Sequence, residues 1–454
     1  MGLSTTSLKK QILRSMKIVY NNVLQWRRLA CALMLTLVVG CDTESDTGQQ
    51  FTGEVKVGIL HSRTGSLSIS EHTVAEAELM AIAEINAAGG IKIGNQRLKI
   101  VPIEEDGQSD WPTFARLAER LIDIDKVAVV FGGWTSASRK EMLPVFESRD
   151  HLLFYPIQYE GEECSKNIFY AGATPNQQAE PAVDWLLENR GKQFFLLGSD
   201  YVYPRTVNRI IKAQLAGSGG QLLGEVYVPL GGKNMQPVID EIAQVMPDGG
   251  VIINTINGDS NVAFFETAYA SGITHEAGYS IMSFSVSEEE VFAIGPKYLE
   301  HSLASWSFFQ SLENKKAKEF TAGFRAMHGV HRVTNDPAEA AYDMVHIWAL
   351  AAQKANSVDP SLVREALPGT AFEGPEGRVE VQPNHHLKKR SLIGELQADG
   401  QFKILHDAGV IEPQVWSQWL PENKGYIADW TIDRPDAGRF KPSVSAEKVK
   451  KAER

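Results

Sequence analysis

Six short clusters of rings, hydroxyls and amides follow apolar runs in this chain. Trp134, Thr135 and Ser136 come after Val127–Phe131. Tyr155 ends the run Leu152–Tyr155, and Gln158 and Tyr159 follow it. Asp200, Tyr201 and Tyr203 come after Gln193–Leu197, Asn257 after Val251–Thr255, and Ser285 after the run from Tyr279. The stretch His61–Leu67, with Ser66, follows Val55–Leu60. Gly, Asn, Asp and Ser suit ordinary turns, so one such cluster alone signifies little. Six of them at strand ends point to a cleft. Their chemistry is that of recognition: tyrosine and tryptophan offer flat walls with one polar handle each. Hydroxyls donate to a ligand oxygen, and Gln158, Asp200 or Glu289 accepts from ligand N–H groups. The leading positions hold no Cys, no His and no paired carboxylates, so no reaction centre is expected.

The elements that must carry these clusters alternate regularly. Strands are expected at Val55–Leu60, Leu98–Ile103, Val127–Phe131, Leu152–Tyr155, Gln193–Leu197, Gly224–Val228, Val251–Thr255 and Tyr279–Phe284. Helical spacing fills the intervals, at about 71–88, 112–124, 137–149, 176–189, 204–217, 234–246 and 260–271, then 314–328 and 337–356. Repeated βαβ units imply mainly parallel sheets with helices on both faces, where ligands bind outside the carboxyl ends of the strands. The series restarts near Ala173–Gln177 and changes again near Ser305–Phe309 and Gly369–Gly377. The expectation is α/β, with two doubly wound parallel-sheet lobes joined by a multi-crossing hinge. Lobe 1 takes 54–174 and 306–370, lobe 2 takes 175–305 and 371–410, and 411–454 is a peripheral tail.

The N-terminus bounds the compartment. Residues 1–40 carry six basic and no acidic residues and end in the apolar run Leu29–Gly40, directly before Cys41. Twelve apolar residues suit a secretory signal and are too few to span a bilayer. Val38-Val39-Gly40-Cys41 resembles a bacterial lipoprotein cleavage box, which implies lipidation of Cys41; plain cleavage is the alternative. Asp42 then favours retention at the inner membrane, and 41–53 reads as a tether. Met1-Gly2 fits a myristoylation pattern by chance, and Met16 offers an alternative start. Loss of the signal takes 6 of the 45 basic residues, leaving 39 against 56 acidic, a formal charge of −17. So acidic a chain excludes nucleic acid as a partner. Cys31 leaves with the signal and Cys41 is capped, so Cys164 stands alone without a disulfide partner.

Catalytic and cofactor motifs are absent. Gly231-Gly232-Lys233-Asn234 lacks P-loop spacing, and Gly217–Gly220 lies between helix and strand, the reverse of a dinucleotide site. His328 with His331, and His385 with His386, lack a ligand-rich neighbourhood, so no metal is expected. Lys388-Lys389-Arg390 and Lys448–Lys451 read as solvated faces. An exported amidase would need a nucleophile with a base, and Cys164 lies among acidic residues that raise a thiol pKa.

FGGWTSASRKEMLPVFE, LLFYPIQYEGEECSKNIFYAGATPNQQ, GSDYVYPRT and NTINGDSNVAFF resemble the urea-binding periplasmic proteins of ABC transporters. These are related to amide sensors and branched-chain amino-acid binding proteins. The likeness runs from about Val55 to His406. It implies a type I periplasmic-binding fold with three hinge crossings and a ligand closed in the cleft. It also implies pocket positions at Trp134, Thr135, Ser136, Tyr155, Gln158, Tyr201 and Tyr203. Trp134 and Gln158 stand where the amide sensors carry Tyr and Pro, which favours urea. The loop holding Ser66 departs somewhat from the usual urea-binder form. The implied partners are urea or a short amide and an inner-membrane permease, with no cofactor and no catalysis. A branched-chain or other amino-acid binder of the same fold is the alternative.

Overall fold

Apolar runs form the strands and the stretches between them the helices over residues 51–424, which the computed structural model describes. The backbone of two further short strands, Tyr426–Ala428 and Phe440–Pro442, is described as well. The signal, Cys41, most of the tether and the Lys-rich end lie outside the described residues.

The first sheet has six strands in the order β2-β3-β1-β4-β5-β6: Ile91–Ile93, Gln96–Asp106, Gly53–His61, Val130–Gly132, Leu153–Tyr155 and Ile168–Tyr170. All its pairings are parallel except the β2–β3 hairpin. Helices α1 (Ser68–Ala87), α2 (Trp111–Asp123) and α3 (Ser136–Arg149) connect its strands. The second sheet has nine strands. Its parallel part runs β8-β7-β9-β10-β11, from Gln221–Val228, Gln193–Ser199, Gly250–Thr255, Tyr279–Ser283 and Leu303–Trp306. Its crossovers include α4 (Ala179–Asn189), α5 (Val202–Ser218), α6 (Gln236–Val245), α7 (Ser260–Ala270) and α8 (Glu288–Ile294). Helices α9 (Lys315–His328) and α10 (Asp336–Ala355) then return to pack on α1 of the first lobe. The short α11 is Pro360–Ala366. The chain thus passes between the sheets three times.

Four antiparallel strands complete the second sheet: β12 (Ala371–Gly374), β13 (Gly377–Val381), β14 (Leu387–Leu396) and β15 (Phe402–Ile411). The βα rhythm gives no warning of them. Their presence corrects the reading of Lys388-Lys389-Arg390 as a solvated face. Lys389 is fully buried, with Nζ 3.1 Å from Glu376 and 3.8 Å from Glu339. The strand expected at Val127–Phe131 is shorter, Val130–Gly132, and the helix expected from 176 starts at Ala179 after a 3₁₀ turn, Pro175–Gln177.

Residues 412–424, expected within the peripheral tail, bury Val415, Ser417, Leu420 and Asn423. The Val415 carbonyl accepts from the Glu162 N–H at 2.6 Å. Ser417 donates its N–H to Glu162 at 3.0 Å and its hydroxyl to Glu180, at the start of α4, at 2.7 Å. This strap ties a loop of the first lobe to a helix of the second.

Candidate ligand site between the lobes

Gly132 ends β4 at φ +146°, and a Cβ there would meet the Leu60 carbonyl oxygen at 2.1 Å, so only glycine lets the strand end lie this close to β1. Trp134 follows, and Thr135 caps α3 by accepting from the Ser138 N–H at 3.0 Å. The Trp134 indole N–H donates across the cleft to Asn257 Oδ1 at 3.4 Å. Its carbonyl accepts from the Tyr155 hydroxyl. Gln158 spans the lobes, donating from Nε2 to the Phe284 carbonyl at 2.7 Å and to Ser285 Oγ at 3.1 Å.

From the second lobe come Tyr201, which stands at the N-cap of α5, and Tyr203 in its first turn. Their rings lie 6.4 Å apart, and Tyr201 also lies 6.3 Å from Trp111. Trp134, Thr135, Ser136, Tyr155, Gln158, Tyr201, Tyr203, Asn257 and Ser285 are all buried at the seam. The lobes are closed over them. The Ser66 carbonyl accepts from the Asp259 N–H at 3.2 Å, and Ser70 Oγ donates to Glu290 on α8 at 2.6 Å.

Two polar atoms in this cluster make no well-formed hydrogen bond to protein, Gln158 Oε1 and the Tyr203 hydroxyl, although the hydroxyl stands close enough to Ser285 and Gln158 for both to bear on it. The Tyr203 hydroxyl faces Ser285 and Gln158, and burial pushes its pKa well above the usual phenol value. Tyr155 and Tyr201 shift the same way for the same reason.

Four residues from the sequence reading sit apart from this pair. Tyr159 turns its hydroxyl to the Glu163 carbonyl at 3.0 Å and to His386 Nε2 at 2.6 Å. Its ring stacks on Tyr170 at 4.9 Å, behind the site. Asp200 is paired with Arg205 and is 28% exposed. Glu289 lies toward Arg332 at 3.8 Å, and burial pushes its carboxyl up to about 7. Ser66 is partly exposed and reaches the second lobe through its backbone.

Beneath the cluster lies a network that sequence reasoning missed. Arg139 is fully buried and donates from Nε to Glu163 at 2.8 Å, from Nη2 to Glu160 at 3.0 Å and from Nη1 to Ser136 Oγ at 3.1 Å. Ser136 in turn donates to Glu160. The guanidinium lies 4.8 Å from the Tyr155 ring centre and 4.6 Å from that of Tyr159. Burial alone would raise the Glu163 carboxyl, but Arg139 and Lys140 outweigh it and hold the group far below the usual range. The signal for this network was an arginine one turn beyond Ser136 and three glutamates clustered at 160–163. No group of three or more His, Cys, Asp or Glu side chains among the described residues is placed to hold a metal ion.

The periplasmic binding protein domain family matches residues 55–422. A Leu/Ile/Val-binding protein homolog of Brucella melitensis is 21% identical over 391 residues, covering 79% of this chain and 93% of that one. A 112-residue stretch is 28% identical to a Geobacillus stearothermophilus protein named limonene hydroxylase. That match spans 25% of this chain and 21% of that protein, and carries no activity across. Among solved structures, a Rhodopseudomonas palustris ABC-transporter solute-binding protein in complex with benzoate aligns with TM-score 0.69 at 18% identity, covering 80% of this chain and 98% of that one. An isoleucine-bound branched-chain amino acid binding protein of Streptococcus pneumoniae gives 0.67 at 20%, covering 79% and 100%. The chain belongs to the periplasmic binding protein domain family, and as such is a periplasmic solute-binding protein and not an enzyme.

Proposed function

We propose that this protein captures urea, with short-chain amides as the next ligands, between its lobes and delivers it to an ABC permease of the inner membrane, with lipidated Cys41 as the anchor. One observation supports the reading above the others. Among the nine residues buried together at the seam, the polar atoms without a well-formed hydrogen bond are a neutral acceptor, Gln158 Oε1, and a neutral hydroxyl, Tyr203. An amide meets both, giving an N–H to the first and its oxygen to the second. Trp134, Tyr155 and Tyr201 supply apolar walls for a flat molecule, and Asn257 and Ser285 hold Trp134 and Gln158 in place.

The amino-acid and aromatic-acid reading, suggested by the names of relatives and by benzoate- and isoleucine-bound structures, asks for something different. A carboxylate ligand needs a cation or several free donors, and the buried Arg139 is already shared by two glutamates. An amino acid also needs a carboxylate for its ammonium; of the two candidates, Asp200 faces Arg205 and Glu289 stands toward Arg332.

Calorimetry on the mature domain tests this. Urea is expected to bind, while leucine and benzoate give no heat. The Gln158→Leu variant should bind urea roughly ten- to hundred-fold more weakly, since it leaves a ligand N–H unmet. No urea binding at millimolar concentration, or tighter binding of leucine, overturns the proposal.

A further inference from the structure

Trp111 opens α2 in the first lobe, yet its ring packs across the seam, on the apolar cluster of the second lobe that holds Tyr201 and Tyr203. The Trp111 and Tyr201 ring centres lie 6.3 Å apart with planes tilted by 43°, within the range of a stabilising aromatic pair. Tyr201 is 1% exposed, whereas Trp111 is only partly buried. The tryptophan is thus the outer member of the row Trp111, Tyr201, Tyr203. It packs on the cleft wall on one side and meets water on the other.

The turn before it is built to hold that position. Gln108 and Ser109 both lie in the left-handed region, at φ +57° and +56°, which residues other than glycine keep only where their surroundings impose it. The 61–67 loop imposes it here. Ser109 donates its N–H to Ser62 Oγ and its hydroxyl to the Thr64 carbonyl, both at 2.9 Å, and accepts from the Leu67 N–H at 3.1 Å. Asp106 accepts from the N–H groups of Arg63 and Gln108, both at 2.8 Å, and the Gly107 N–H donates to the His61 carbonyl at 3.0 Å. Asp110 then caps α2 by accepting from the Thr113 N–H at 3.1 Å. An ordinary surface side chain has no need of so constrained a mount.

We propose that Trp111 is the latch of the cleft: its ring seats on Tyr201 as the lobes close, keeps water from the aromatic wall, and sets how long a ligand is held rather than which ligand is chosen. It is a positioning residue that acts through Tyr201. The inference rests on the cleft being the ligand site and takes urea from the proposed function only as its first probe. Opening the lobes breaks the contact before a ligand can leave, so its loss should appear in the release rate. Because Trp111 reaches the site through Tyr201, every ligand should feel it equally.

The test is calorimetry and stopped-flow tryptophan emission with urea, acetamide, leucine and benzoate on the wild type, Trp111→Ala and Trp111→Phe, with thermal unfolding of each. Trp134 stays at the seam in every variant as the reporter. Trp111→Ala should release its ligand roughly three- to ten-fold faster, the scale of one aromatic pair, with association little changed. The ratio of urea to acetamide affinity should stay as in the wild type. Trp111→Phe keeps a ring for Tyr201 and should recover most of the residence time. Trp111→Leu, which also lacks the ring, replaces an alanine variant that does not fold and carries the same expectation. Unchanged release without the ring, a phenylalanine variant no better than alanine, or a loss confined to one ligand overturns the inference and leaves the urea reading standing. Leucine or benzoate bound in place of urea, with its release accelerated in the same way, overturns the urea reading and leaves the latch standing. A wild type that holds none of the four overturns both.

Discussion

Arg139→Met removes a guanidinium that lies fully buried between two carboxylates while keeping most of the aliphatic stem. Four hydrogen bonds to Glu160, Glu163 and Ser136, between 2.8 and 3.3 Å, are lost together with the contacts over the Tyr155 and Tyr159 rings. Removing one partner of a buried ion pair costs about 3–5 kcal/mol, because the remaining charge stays buried without compensation. Here two carboxylates are left, and Lys140 at 2.7 Å from Glu163 and 3.8 Å from Glu160 relieves mainly the former. A loss of about 3–5 kcal/mol is therefore expected, a large part of the ~5–15 kcal/mol that holds an ordinary protein folded. The assay is equilibrium unfolding in guanidinium chloride, since urea is the proposed ligand. The triple variant Arg139→Met, Glu160→Gln, Glu163→Gln removes the uncompensated charges and should regain most of the loss. A single variant that costs less than about 1 kcal/mol, or a triple variant no more stable than the single one, would refute the charge argument.

Two further outcomes follow from buried titratable groups. Burial pushes Glu288 up to about 8 and Glu289 up to about 7, both on α8 in the seam, from an ordinary value near 4.5. Each folded-state pKa lies above the unfolded one, so their stabilisation is fully present below about 4.5 and is lost as pH rises through 7 and 8. His61 acts in the same direction: burial would lower it, but Glu78 and Glu71 outweigh burial and raise it to about 9, so its contribution is lost as pH rises from 6.5 through 9. The guanidinium chloride midpoint should fall between pH 6 and pH 9, and a flat or rising profile would contradict these assignments. Burial and the neighbouring Glu163 push the Cys164 thiol up to about 11. Alkylation at pH 8 should run about two orders of magnitude slower than for a free thiol, because the thiolate is the reacting species. Rapid stoichiometric labelling of the native protein would show that the site opens.

The parallel core was legible because each strand is an apolar run followed at once by a change of residue type, as at Phe131 before Gly132 and Leu197 before Gly198. The antiparallel strands β13 to β15 were not, since LKKRSLIGEL and FKILHDAGVI mix charges into the run and only tertiary pairing shows that Lys389 points inward. At the site, residue type was readable and direction was not. Gln158 and Tyr159 are neighbours in sequence, yet one reaches across to Phe284 while the other turns back to His386. Asp200 reads as a free acceptor until Arg205, in the helix that starts two residues later, captures it. Glu160 and Arg139 drew no reading from the sequence because nothing local shows that the 158–163 loop folds beneath α3.

On the proposed reading, closure and recognition share the same atoms, and this couples them. Gln158 and Trp134 hold the lobes together through Phe284, Ser285 and Asn257. Those contacts also bury Gln158 Oε1 and the Tyr203 hydroxyl away from water without a well-formed hydrogen bond, and a polar group left fully unpaired costs about 1–3 kcal/mol. An empty cleft must therefore close against that penalty. A ligand that supplies an N–H to one atom and an oxygen to the other removes it, and so favours the closed form by its differential affinity alone. Under the proposal, leucine or benzoate would bring a charge that Arg139, held by Glu160 and Glu163, does not answer, and would pay for closure without relieving it. The proposal therefore derives selectivity from the neutrality of Gln158 Oε1 and the Tyr203 hydroxyl as much as from the shape of the aromatic walls.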